Sequence, residues 1–214
     1  MEEESSKPTL PVWIAARILS WVFSPLLIPV YSVFITLWGS PLAFLPMRSR
    51  LGILTFTFIA TGVFPMLCIL GLKFSGQVTS AALRERTERT IPYIIAALCY
   101  SFCIWHFHRA MAPDWFCMFF AGATLSIVAV AIINLWWKIS GHATAVGGML
   151  GLCLWLAVTT GPEWPYTSTL TGVILICGVT CTSRLLLGRH TPAQVWSGLA
   201  LGFAAVYLTA TLFA

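Results

Sequence analysis

Uncharged apolar runs of about 20 residues alternate with short polar segments along most of this chain. The runs cover 18–38, 51–72, a stretch of about 18 residues beginning near Thr90, then 115–137, 143–162, 164–182 and 191–214. Each approaches the roughly 20 residues that an α-helix, rising about 1.5 Å per residue, needs to cross about 30 Å of hydrocarbon. The pattern predicts an all-α, polytopic transmembrane helical bundle of six or seven spans. The first run holds Pro25 and Pro29, which kink a helix or split it into interfacial pieces. Residues 1–10, with Glu2, Glu3, Glu4, Ser5 and Ser6, read as a disordered polar tail. Residues 11–214 read as a single transmembrane domain without an internal repeat.

Composition agrees with this pattern. Of 214 residues, 58% are hydrophobic and 9% charged, with a mean hydropathy of +0.88. A soluble domain carries roughly 25% charged residues, so most of this surface must face something other than water. The net charge of +5 sits in short loops between spans, as membrane topology requires, and does not imply a nucleic-acid partner. Seven cysteines fall within or beside apolar runs, where a thiol behaves as a small hydrophobe, and the odd count argues against a disulfide framework. Tryptophans gather near span ends, as in an aromatic belt. His106 and His108 fall at the end of the third span and read as interfacial residues.

The scarce polar residues are more informative. From Ala110 to Ala214 the only Asp, Glu, Lys or Arg residues are Asp114, Lys138, Glu163, Arg184 and Arg189. Lys138 precedes Ser140-Gly141-His142, and Ser183-Arg184 and Arg189 precede His190. A cation close to hydrocarbon is costly and usually has a partner or a task. Two spans separate the segment Arg84–Pro92 from Ser140-Gly141-His142, and two more separate that from Arg184 and His190. An even number of crossings brings all three segments to one membrane face. Each also resembles a helix start: Thr90 before Pro92, Ser140 as an N-cap, and Thr191-Pro192 as cap and first helical residue. Helix N-termini bind anions, so three of them with arginines alongside suit a phosphate without a metal. Gly147 with Gly151, and Gly198 with Gly202, form small-xxx-small pairs that let helix backbones approach closely.

Ser140-Gly141-His142, followed 48 positions on from its His by His190 with Ser183-Arg184 ahead of it, resembles the second and third signature motifs of the type 2 phosphatidic acid phosphatase superfamily. That superfamily includes lipid-phosphate phosphatases and vanadium haloperoxidases. The resemblance covers about residues 84–205. It implies that His190 is the nucleophile, forming a phosphohistidine, and that His142 is the general acid. Arg184, Ser140 and Gly141 would bind the phosphoryl oxygens. The chemistry is reasonable: neutral imidazole is a usable nucleophile near pH 7, and fixed N–H and guanidinium groups stabilise developing phosphoryl charge. The implied function is a membrane-embedded lipid-phosphate or lipid-diphosphate phosphohydrolase with no cofactor. Its partners would be the bilayer and a phospholipid or isoprenoid phosphate, and its expected home is the cytoplasmic membrane of a bacterium.

Two departures separate the chain from that pattern. The family's first motif, a Lys, six residues and Arg-Pro, is missing; Arg86 or Arg89 ahead of Pro92 is the nearest substitute, and Lys138 could supply the ammonium. Four residues after the third-motif His the family has an Asp, whereas this chain has Gln194. An amide can hold the imidazole tautomer but cannot compensate an imidazolium. Glu85 or Glu88 could replace the carboxylate. Gln194 also fits a capping box with Thr191, and a single side chain is not expected to fill both roles completely. The alternatives are a non-catalytic lipid-phosphate-binding or scaffold member of the same fold, and a lipid-linked phosphotransferase.

Overall fold

A computed structural model describes residues 9–78, 86–161 and 166–213. Among these the chain is all-α. Helices α1 (Leu10–Val22) and α2 (Ile28–Gly39) come first, followed by α3 (Met47–Phe74), α4 (Thr90–Arg109), α5 (Asp114–Ile133), α6 (Gly141–Thr159), α7 (Tyr166–Leu186) and α8 (Pro192–Phe213). Six of them, α3 to α8, are long and apolar enough to cross a membrane. The chain is an integral membrane protein.

The first apolar run is broken, as its prolines require. The chain leaves α1 at Phe23 and re-enters a helix at Ile28, with Pro29 in the first turn of α2. Neither half is long enough to span. Most of the tail read as 1–10, residues 1–8, lies outside the described residues, and Leu10 already belongs to α1. Arg84, Glu85 and Glu163 also lie outside them.

Helix α3 starts earlier than the apolar run, at Met47, and contains a π-helical stretch at Phe58–Val63. Pro65 explains it. Proline has no N–H for the carbonyl four residues back and its ring crowds that carbonyl, so the preceding turn widens. Thr57 and Thr61 are buried there, and their hydroxyls donate to the carbonyls of Ile53 and Thr57 at 2.9 Å each.

The central packing is α6 against α8. A Cβ on Gly151 would stand 2.7 Å from the Phe203 carbonyl oxygen, and one on Gly198 2.7 Å from that of Ser140. Cβ atoms on Gly147 and Gly202 would collide with the Leu199 and Thr144 carbonyls. The two small-xxx-small pairs read from the sequence therefore face each other. Gly122 of α5 does the same against Val206 of α8, where a Cβ would lie 2.7 Å from the backbone.

At the end of the bundle away from the motif segments, aromatic rings fill the interior. Phe107 lies 5.0 Å from Phe116 and 5.3 Å from Phe120, centroid to centroid, and Leu37, Cys103, Leu152 and Leu156 complete the cluster. His106 stacks on Phe56 at 3.8 Å at this end. All the cysteines are free, and Cys177 lends its thiol to the Val146 carbonyl at 3.3 Å. The opposite end is not filled, and the polar residues gather there.

Candidate phosphate site

Helix starts place the two motif histidines. Ser140 is the N-cap of α6: its hydroxyl accepts from the Ala143 N–H at 3.4 Å, and Gly141 and His142 follow as the first helical residues. Thr191 caps α8, accepting from the Gln194 N–H at 3.4 Å, while the Gln194 side-chain oxygen accepts from the Thr191 N–H at 3.2 Å. This is a reciprocal capping box. The Ser140 N–H also donates to the Gln194 carbonyl at 3.2 Å, so the two helix starts are joined through backbone.

A cavity of about 320 Å³ opens at this end. His142, His190, Arg184, Gly141, Arg89 and Lys138 all line it. The three polar segments thus meet at one mouth, as the count of crossings requires. Arg189 lines it as well.

Other residues singled out by the sequence go elsewhere. Arg86 donates through Nη1 to the Leu135 carbonyl, and its own carbonyl accepts from Asn134 at 2.9 Å. It ties the start of α4 to the end of α5 and does not line the cavity. Ser140 is fully buried, spends its hydroxyl on the cap and does not line the cavity either. Glu88 is not among the residues that line the cavity.

His190 is only 8% exposed. Its Nδ1 lies 3.3 Å from the Lys138 carbonyl oxygen and 3.2 Å from Gln194 Oε1. That Gln194 atom also receives the Thr191 N–H, which identifies it as oxygen. Both neighbours of Nδ1 are therefore acceptors, so Nδ1 carries the proton and Nε2 keeps its lone pair. Gln194 thus takes part in both the capping and the orienting contact that the sequence offered for it. A carbonyl oxygen has two lone pairs, and this one takes a proton from each side. Burial first, then the Arg184 and Arg89 guanidiniums, lower the His190 pKa to about 4, while the Lys138 carbonyl and Gln194 act in the opposite sense.

His142 and Arg184 share a partner that the sequence reading missed. His142 Nε2 lies 3.1 Å from the Ser20 carbonyl oxygen and 3.4 Å from Ser20 Oγ. Arg184 Nη1 donates to the same Oγ at 2.6 Å. The carbonyl can only accept, so Nε2 of His142 bears a proton. Ser20 reaches the site because α1 turns Ala16 and Ser20, one helical turn apart, inward. Its hydroxyl oxygen sits between a guanidinium and an imidazole, a position suited to an oxygen of a phosphate ester.

Tyr93 was also missed. It lines the cavity one turn after Arg89, hydrogen-bonds with that arginine, and its hydroxyl would lie 3.4 Å from a Cβ on Gly141. The only signal for it was the four-residue spacing from Arg89 on a helix with no other special feature. Arg184 Nε is buried without a hydrogen-bond partner. The arrangement offers a lone-pair nitrogen, a protonated nitrogen, several cations and a helix N-terminus around one small volume. These elements are what phosphoryl transfer uses. Comparison with protein-family models, with curated proteins and with solved structures finds no match for this chain.

Proposed function

We propose that this protein is a membrane-embedded phosphohydrolase that removes phosphate from a lipid phosphate or diphosphate through a phosphohistidine, with the cytoplasmic membrane of a bacterium as its setting. One observation carries the reading. His190 is held by two acceptors on Nδ1 in the tautomer that leaves Nε2 nucleophilic, in the cavity that His142 and Arg184 also line. The motif resemblance to the type 2 phosphatidic acid phosphatases supports the same assignment.

In the first step Nε2 of His190 attacks phosphorus, and the bond from phosphorus to the lipid oxygen breaks. His142, protonated on both nitrogens once the phosphate dianion is bound beside it, passes its Nε2 proton to that oxygen, and the lipid alcohol leaves. In the second step His142 takes a proton from water, the water oxygen attacks phosphorus, and the phosphorus–nitrogen bond breaks. Inorganic phosphate departs and both rings return to their starting state. Arg184, Arg89 and the N-terminus of α6 at Gly141 hold the phosphoryl oxygens. The leaving oxygen replaces Ser20 as the partner of His142.

Phosphate release from lipid phosphates by protein in nanodiscs tests this reading. The wild type is expected to release phosphate and to form an acid-labile, base-stable phosphoprotein, and His190→Ala to do neither. Equal release by both would overturn it. A second reading, a non-catalytic lipid-phosphate binder, draws on the same geometry. Both acceptors beside His190 are neutral carbonyls, where the family has a carboxylate. Binding without turnover in the wild type would favour it. Product analysis separates hydrolysis from transfer to a second alcohol.

A further inference from the structure

The cavity does not end at the polar mouth. Beneath the cations it continues as an apolar well lined by Ala96 of α4, Ala123 and Ile127 of α5 and Met149 of α6, with Pro29 of α2 and Met66 of α3 on its other side. Tyr100, Phe119 and Val206 form its floor, all at most 5% exposed. The floor is sealed by close helix approach: a Cβ on Gly148 would meet the Val206 side chain at 3.2 Å, and Gly122 abuts the Val206 backbone. The ring of Tyr100 also meets Phe120 edge-on at 6.3 Å, joining the floor to the aromatic end of the bundle.

We infer that this well takes one hydrocarbon chain of the phosphate ester, end-on, and that its floor gauges chain length at about eight to ten carbons. The inference rests on the phosphohydrolase reading for its headgroup and goes beyond it in naming the chain. The rise of α4 sets the depth. Tyr93, level with the phosphate site, and Tyr100, at the floor, are seven residues apart on α4, a drop of about 10 Å at about 1.5 Å per residue. Carbon–carbon bonds of about 1.5 Å, zigzagging at near-tetrahedral angles, advance about 1.3 Å each, so about eight carbons fit above the floor. A phosphate attracted by the cationic mouth places its own chain over the well. Chain transfer from bilayer to well exchanges one hydrocarbon surrounding for another, so selectivity comes from fit and not from hydrophobic gain.

The test uses the full chain in nanodiscs with alkyl phosphates of 6 to 16 carbons and with dioleoyl phosphatidic acid. Phosphate release and retention of each compound, read by native mass spectrometry on wild type and on His190→Ala, are followed against chain length. Both are expected to peak near eight to ten carbons and to fall about tenfold by 16, the cost of overfilling an apolar pocket. Ala123→Phe raises the floor by about one helical turn, about 5.4 Å, and is expected to move the peak down by about four carbons. Ala96→Leu, on a different helix, is expected to shift it the same way. Profiles flat with chain length, peaks unmoved in both variants, or a preference for the two-chain lipid would overturn the inference. Phosphate release at equal rates for every chain would sink the well and leave the phosphohydrolase standing. A retention peak without phosphate release would do the reverse.

Discussion

His190, the proposed nucleophile, rests on an amide where the resembled family has a carboxylate, and that choice has a measurable signature. With its pKa lowered to about 4, His190 stays neutral well below the ordinary imidazole range. We expect kcat/KM for phosphate release to hold to about pH 5 and to fall only as His190 gains a proton near pH 4. The same shift sets a stability window. The unfolded chain takes this proton at about pH 6.5, above the folded value, so stability declines as pH falls from about 6.5 to about 4 and loses nothing more from this residue below that. Replacing Gln194 with Asp puts a charge beside the ring and raises its pKa, moving the acid limb upward, and it compensates the imidazolium of the transition state. We expect kcat to rise by at least about tenfold, a modest part of what such a carboxylate contributes in serine proteases. Steady-state rates across pH for wild type and variant check both statements. Ser20 holds Arg184 and His142, the two groups proposed to meet the substrate. Ser20→Ala should lower KM about three- to tenfold, on the order of 1 kcal/mol for a lost competing hydrogen bond, with little change in kcat. Of these residues, His142, His190, Arg184 and Gln194 were legible because short motifs carry them. Ser20 was not. It lies 122 residues from His142 in an apolar half-helix, and nothing local marks a hydroxyl that will be claimed from so far away.

At the level of helices, α6 and α8 approach so closely that only glycine fits along their seam. Gly202→Ala forces a methyl group into the Thr144 carbonyl and should cost about 1–3 kcal/mol, typical of overpacking. Gly172→Ala and Gly178→Ala on α7 meet no atom within 4 Å and should be close to neutral or slightly stabilising. Thermal unfolding of the three variants in one detergent decides this. The spans themselves were legible from length and hydropathy, and the split of α1 from α2 from Pro25 and Pro29. The facing of the glycine pairs was only half legible, since spacing shows that a helix has a smooth stripe but not which neighbour it meets. The π-helical stretch before Pro65 was not read, because it leaves the run of apolar residues unchanged. The distinction between Arg86 and Arg89 was not legible either. A 3-10 turn at Thr87–Arg89 sets their phase, sending Arg86 to Leu135 and Arg89 to the cavity.

For the molecule as a whole, charge is distributed along the membrane normal. Aromatic packing closes one end, and Arg89, Lys138, Arg184 and Arg189 crowd the cavity at the other. Such a mouth attracts anions and repels divalent cations. Phosphate release should therefore persist in excess chelator and weaken as added salt screens the cations; assays with EDTA and across ionic strength check this. The mechanical layout follows from the contacts already described. The two imidazoles ride on helices that are zipped by glycines and stitched at their starts, Ser140 to Gln194, so they form one stiff strut with a fixed gap. Helix α1 rests mainly on α7 and flanks the gap with Trp13, Arg17, Ser20 and Trp21, of which Ser20 bonds both His142 and Arg184. If the proposed site admits a guest by movement, α1 is the helix held there most lightly, and the two rings keep their spacing while it shifts.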